Sequence, residues 1–167
     1  MATKPLCIVV GVGGGTGEAI VKRFAEGGYD VAMIARKASR LERIAAETPN
    51  THAYPCDIGD LDAFRDTFAA IRSDHGVPKV YIQNAAAAVF AHYQDIDIEA
   101  FEQTFRVNVS STLGAAQELA PAMIGQGDGA FLVTGNTGAW RGKPHFTGFA
   151  PTKSGQRILT EALARDL

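Results

Sequence analysis

The sequence predicts a doubly wound α/β domain, a parallel sheet covered by helices on both faces. Three observations predict it. Short apolar runs alternate with helical stripes along the whole chain. Those runs lack the polar alternation that a sheet with one wet face would show. A glycine-rich loop, "GVGGGTG" at 11–17, stands between the first run and the first stripe. At 167 residues the chain is long enough for one domain with a real hydrophobic core.

The elements follow in order. "LCIVV" at 6–10 predicts the first strand, and Ile20, Val21 and Phe24 mark a helix that Gly27-Gly28 would stop. "DVAMIA" at 30–35 is the second strand, followed by a helical stripe of Leu41, Ile44 and Ala45. "HAYPC" at 52–56 is a third strand weakened by Pro55, and Leu61, Phe64, Phe68 and Ile71 trace a helix ending before Gly76. "KVYIQ" at 79–83 is the fourth strand. The longest helix runs over about 98–125, with Phe101, Phe105, Ala115, Ala116, Leu119 and Met123 at helical spacing. "AFLVTG" at 130–135 is the fifth strand, and the sequence given stops at "TEALARDL" in a last helix. With no repeat or linker, the expectation is a single domain over 1–167 that lacks its C-terminal strands.

Bulk composition excludes several function classes. Sixteen basic and 18 acidic residues give a net charge of −2, so no overall field favours nucleic acid or an anionic membrane. No apolar run approaches the ~20 residues of a membrane span. Cys7 and Cys56 are the only cysteines and lack ligand spacing. They are expected as buried small hydrophobes in a cytoplasmic protein, with neither a disulfide framework nor a metal site.

The loop directly follows a strand and opens a helix, whose N-terminal N–H groups and dipole seat a phosphate. A tight turn at Gly11, with side chains absent at Gly15 and Gly17, would let backbone and ligand approach closely, and Gly13, Gly14 and Thr16 complete the expected cofactor-binding loop. A tight turn with no ligand is the plainer alternative. A nucleoside triphosphate loop needs Gly-Lys-Ser/Thr, and this chain has Gly17-Glu18, whose carboxylate repels a triphosphate. S-adenosylmethionine is the serious rival, because "VGGGTG" also looks like a methyltransferase motif. Both that ligand and NAD call for a carboxylate at the end of strand two. Arg36 and Lys37 stand there instead and suit a 2′-phosphate, which points to NADP. Ordinary solvated charges at a helix start would explain the same pair. Asn108 falls on the apolar stripe of the long helix, seven residues after Phe101 and three after Phe105. It suits either a holder for a lysine or water, or a cap on local backbone.

At this point the chain resembles the short-chain dehydrogenase/reductase family, from Gly11-x-x-x-Gly15-x-Gly17 through to the last helix. The resemblance implies a Rossmann-type sheet. It assigns "CDIGD" at 56–60 to adenine binding through Asp57 and the Ile58 N–H. "QNAAA" at 83–87 keeps the family's Asn84 and Ala85. "FRVNVSS" at 105–111 carries the family's structural Asn, Asn108, and "FAPTKSG" at 149–155 supplies Lys153, which binds the nicotinamide ribose. Two departures stand out. Phe149 occupies the position of the family's proton-donating tyrosine, and Asn136 that of its substrate-orienting serine. Val10 also replaces the loop's usual Thr.

Catalytic candidates are therefore Asn108, Lys153, Phe149, Asn136 and Thr137, with His145 as a substitute proton donor if its loop folds inward. For Phe149, plain packing competes; for His145, an exposed loop position; Arg141 and Lys143 are most simply solvent-facing loop charges. The expected function is an NADP(H)-dependent oxidoreductase with an atypical site. The alternatives are a non-catalytic dinucleotide-binding protein and an S-adenosylmethionine-dependent methyltransferase. The family's habits imply a homodimer or homotetramer pairing through the long helix and the lysine-bearing helix. The substrate is a small molecule that the sequence does not identify.

Overall fold

The computed structural model describes residues 4–167. Five parallel strands, β1 (Leu6–Val10), β2 (Asp30–Ala35), β3 (Thr51–Pro55), β4 (Val80–Gln83) and β5 (Ala130–Val133), lie in the order β3-β2-β1-β4-β5. Register is continuous across the centre, with Val10 beside both Ile34 and Gln83. Every residue of β1 is buried, because successive side chains enter opposite layers. Leu6, Ile8 and Val10 join Phe64, Phe68 and Ile71 of α3 (Leu61–His75) and Leu119 and Met123 of α5 (Ser111–Gly125). Cys7 and Val9 join Val21 of α1 (Thr16–Glu26) and Leu41 and Ile44 of α2 (Ala38–Glu47). The last helix, α6 (Ala150–Asp166), follows β5. The doubly wound prediction thus holds, with β3, β4 and β5 shorter or shifted relative to the expected 52–56, 79–83 and 130–135.

The long helix needs a correction. It is α4 (Ile98–Phe105) and α5 joined by a π-helical turn, Arg106–Ser110. The wider turn moves the buried stripe to Thr104, Asn108, Ser111, Thr112 and Ala115. Phe101 and Phe105 are only half-buried and pack edge-to-face on each other at 5.2 Å. Asn108 is fully buried, so the deepest line of this helix runs through Thr104 and Asn108 rather than through the two phenylalanines.

Both cysteines are free and buried, and burial pushes the Cys7 thiol up to about 12. Among the described residues no helix is long and apolar enough to cross a membrane.

Gly11 is fixed both by contact and by its backbone conformation, and Gly17 by contact. Gly11 has φ of 86°, and a Cβ there would meet the Ala85 nitrogen at 2.3 Å. A Cβ at Gly17 would lie 2.4 Å from the Gly11 carbonyl oxygen, whereas one at Gly14 would meet nothing within 4 Å. Gly17→Ala is expected to lower unfolding free energy by ~1–3 kcal/mol through overpacking. Gly14→Ala should stay within about 0.5 kcal/mol of the parent. Urea unfolding of the two variants beside the parent checks the difference.

Candidate dinucleotide site at the sheet edge

All five strands run in one direction, so the turns leaving them line one edge of the sheet. Strand order reverses between β1 and β4, and a crevice forms at such a switch point. Asn84 holds its two walls together there, its Nδ2 donating to the Gly11 carbonyl at 2.9 Å. Ala85 packs behind it against the core.

The glycine loop rises from this junction. The Gly11 and Val12 N–H groups donate to the Ile34 carbonyl at 2.9 and 3.3 Å, and Gly13 N–H returns to the Gly11 carbonyl at 3.0 Å. The N–H groups of Gly14, Gly15, Thr16 and Gly17 make no hydrogen bond among the described residues. They sit at the positive end of α1, beside an exposed Gly14-Gly15-Thr16 surface. That arrangement accepts an anion. Close approach to a ligand falls to Gly13, Gly14 and Gly15, since the space at Gly17 is filled by the loop's own backbone. Glu18 turns away, held by Lys22 at 2.8 Å and Arg43 at 2.7 Å, and these cations keep its carboxyl below the usual range.

Arg36 and Lys37 leave the end of β2, are exposed, and form no ion pair among the described residues. Asp57 is exposed just past β3, where its Oδ1 accepts the Gly59 N–H at 3.0 Å, and the Ile58 side chain is buried beneath it. The sheet edge thus presents, from β3 to β4, a carboxylate, two free cations, four unpaired N–H groups and an amide. A dinucleotide fits this half of the edge, since Gly13–Gly15 leave open space over the unpaired N–H groups.

The other half is organised by burial. Asn108 is fully buried, and its Oδ1 accepts the Ala87 N–H at 2.8 Å. Its Nδ2 donates to the Ala87 carbonyl at 2.8 Å and to Thr152 Oγ1 at 2.7 Å. Asn108 therefore clamps the loop after β4 to α6, and does not hold the lysine as expected. Lys153, 3% exposed, donates instead to the Thr134 carbonyl at 2.9 Å and to Gln156 Oε1. Gln156 Nε2 donates to Thr112 Oγ1 at 3.3 Å, whose hydroxyl donates to the Asn108 carbonyl at 3.0 Å. The lysine and the asparagine are linked, but through two residues the sequence reading missed. Gln156 lies three positions after Lys153 on the same helix, a spacing that puts two polar side chains on one face.

A second missed chain runs beneath β4. The Tyr81 hydroxyl donates to Gln83 Oε1, and Gln83 Nε2 donates to Ser111 Oγ at 2.9 Å. Tyr81 and Gln83 are two apart on a strand and share a face, so this pairing was open to the alternation rule.

The remaining candidates do not converge on Lys153. Asn136 Oδ1 accepts the Gly138 N–H at 2.7 Å, capping its own short turn Thr137–Ala139. Thr137 is exposed. His145 is exposed too, with φ of 64°, and its ring faces His92 at 6.2 Å, so its loop is not folded inward. Phe149 is buried, its ring 5.3 Å from Phe90 and 6.2 Å from Phe146. The loops carrying these rings pair at Val89–Gly148 and Ala91–Phe146.

Comparison with known proteins fits this geometry. The short chain dehydrogenase family pattern matches residues 5–167. The D-erythrulose reductase of Gallus gallus is 30% identical over 161 residues, covering 96% of this chain and 64% of that protein. The chain thus spans less than two thirds of that curated relative. A metagenomic short-chain oxidoreductase solved with NADP superposes with a TM-score of 0.92 at 20% identity, over 99% of this chain and 76% of that one. An NAD⁺-bound xylitol dehydrogenase gives 0.91 at 26% identity, over 98% and 65%.

Burial, with no carboxylate beside it, lowers the Lys153 pKa in the folded chain below its ordinary 10.5. The unfolded chain then holds more protons between the two values, so this group's contribution to stability rises with pH across that window. Its cost is present in full below the folded pKa and fades as pH nears 10.5. Lys153→Met is therefore expected to be more favourable, relative to the parent, at pH 7 than at pH 10. Urea unfolding at both values tests this; a gap that stays constant or widens at pH 10 contradicts it.

Proposed function

The chain belongs to the short-chain dehydrogenase family, and from that premise we propose that it binds a nicotinamide dinucleotide along the sheet edge, NADP(H) in preference to NAD(H), as an oxidoreductase of altered proton supply. One observation carries the reading: four unpaired N–H groups at the start of α1 share one edge of the sheet with Arg36 and Lys37, two cations with no ion-pair partner among the described residues. The N–H groups suit the pyrophosphate and the cations a 2′-phosphate. Asp57 and the Ile58 N–H would take the adenine end, and Lys153 the nicotinamide ribose. The two solved neighbours, one carrying NADP and one NAD⁺, support a dinucleotide without choosing between them.

When bound, the dinucleotide supplies or accepts a hydride. The chain's own residues orient it and exclude water, with Asn108 and Thr152 anchoring the start of α6 against the loop after β4. Phe149 has no proton to give, and Asn136 is occupied by its own turn. Carbonyl reduction therefore lacks its ordinary proton donor. Reduction of an activated C=C or C=N bond, with the proton from water or substrate, suits this site better. The same observation favours a second reading, a dinucleotide-binding protein without turnover.

Parallel titrations with NADPH, NADH and S-adenosylmethionine, followed by heat release, test the first half. NADPH is expected to bind about tenfold more tightly than NADH, an advantage of about 1.4 kcal/mol. Arg36→Glu with Lys37→Glu should reverse the order. Equal affinities in the parent, or binding of S-adenosylmethionine alone, would overturn the proposal.

Phe149→Tyr tests the second half. If hydride geometry is in place, NADPH oxidation with a carbonyl panel should rise, up to the ~10²–10⁴-fold worth of a positioned proton donor. An unchanged rate with intact NADPH binding would favour the silent binder.

A further inference from the structure

Beside the start of α6 lies a cleft of about 390 Å³ that the dinucleotide reading leaves unused. Trp140, Arg141, Lys143, Phe146, Thr147 and Ser154 line it. Its volume falls in the range of small-molecule pockets.

Its chemistry is one-sided. Although acidic residues outnumber basic ones in the whole chain, no Asp or Glu occurs between Gly129 and Thr160. Of the four cations in that stretch, Arg141 and Lys143 line the cleft, while Lys153 is buried and Arg157 is paired with Glu161. The facing loop after β4, residues 84–94, has no acid either. Arg141 and Lys143 form no ion pair among the described residues.

The aromatic side of the cleft is held in place. The Arg157 guanidinium stacks on the Trp140 ring at 4.0 Å and is itself tied to Glu161 at 2.5 Å. Trp140 nevertheless remains 74% exposed, a flat apolar surface fixed in an otherwise cationic rim. Lys143 Nζ lies over the Phe146 ring, 5.6 Å from its centre, so a charge and an aromatic face occupy the same wall. Phe146 in turn neighbours Phe149 at 6.2 Å, which joins this wall to the Phe90–Phe149 aromatic pair.

We propose that this cleft binds the carboxylate-bearing end of an aromatic substrate, its ring against Trp140 and Phe146 and its carboxylate between Arg141 and Lys143. As a substrate subsite it rests on the reading of the sheet edge as the dinucleotide site. Recognition divides between two physical terms. Ring stacking supplies apolar contact, and the charge-assisted hydrogen bonds to the two cations distinguish an acid from a neutral compound of the same shape. Both are needed, because exposed cations alone attract any small anion weakly.

Trp140 is the chain's single tryptophan, so its fluorescence reports on this cleft alone. The experiment titrates the protein with phenylacetate, phenethyl alcohol and acetate, exciting the tryptophan selectively. Phenylacetate is expected to give a saturable change with an affinity about tenfold tighter than either the neutral alcohol or acetate. Arg141→Gln with Lys143→Gln, both at exposed loop positions, should bring phenylacetate down to the level of the alcohol. Equal binding of acid and alcohol, an unaffected double variant, or no saturable change would each overturn the proposal.

NADPH titrated into the same samples separates the two readings. A chain that binds NADPH but not phenylacetate loses the cleft and keeps the dinucleotide site. One that binds phenylacetate with the expected charge dependence but no dinucleotide keeps the cleft as a binding site for aromatic acids and loses the cofactor reading.

Discussion

At Gly11 the backbone leaving β1 passes against the backbone leaving β4, so closely that a Cβ would sit 2.4 Å from the Ala85 Cα. Much of the candidate site depends on that approach. It brings Asn84 within hydrogen-bond reach of the Gly11 carbonyl and turns the chain toward α1. It also places the unpaired N–H groups beside the reversal of strand order. A side chain at either Gly11 or Gly17 would push these pieces apart, and no local substitution elsewhere could restore the crevice. The free donors at the start of α1 are thus a consequence of packing, and anion binding follows from helix geometry.

A second constraint operates at the far end of the edge. The π turn Arg106–Ser110 swings Asn108 into a fully buried position, where its amide pairs with Ala87 and Thr152. A buried amide with its hydrogen bonds met is rigid, and this one fixes the loop after β4 to the helix that carries Lys153. The lysine is then held by a carbonyl and an amide, with no carboxylate to balance its charge. Such an ammonium is costly when the site is empty of negative charge, and a bound polar ligand would find it already oriented. Phe149, buried against the partly exposed rings of Phe90 and Phe146, makes its wall apolar. The two halves of the edge therefore differ in kind, the first lined by unpaired N–H groups and exposed cations, the second by apolar side chains and a single buried cation.

Much of this was legible in the residues themselves. Unbroken apolar runs such as Leu6–Val10 give a sheet buried on both faces, because no side of such a strand tolerates water. Glycines between a strand and a helix mark a loop needing backbone approach, and Arg36 and Lys37 put two exposed cations at the end of β2. The π turn was not legible, since it changes the register of a helix by one residue without altering the periodic pattern around it. Nor was the inward or outward aim of His145, Thr137 and Asn136, whose loop is set by pairing with the loop after β4.

The sequence by itself determined the order of strands and helices, the two apolar layers, the glycine loop and the chemical types present at each strand end. Those properties are local, fixed by side-chain period and by the backbone freedom of individual residues. Tertiary structure alone decided which distant polar groups meet: that Asn108 clamps Ala87 rather than the lysine, that the Thr134 carbonyl holds Lys153, and that Trp140 stands over Arg157. These pairings join residues far apart in the chain. Burial leaves each polar group without water, and the partner it takes is whichever group the packed elements bring within reach.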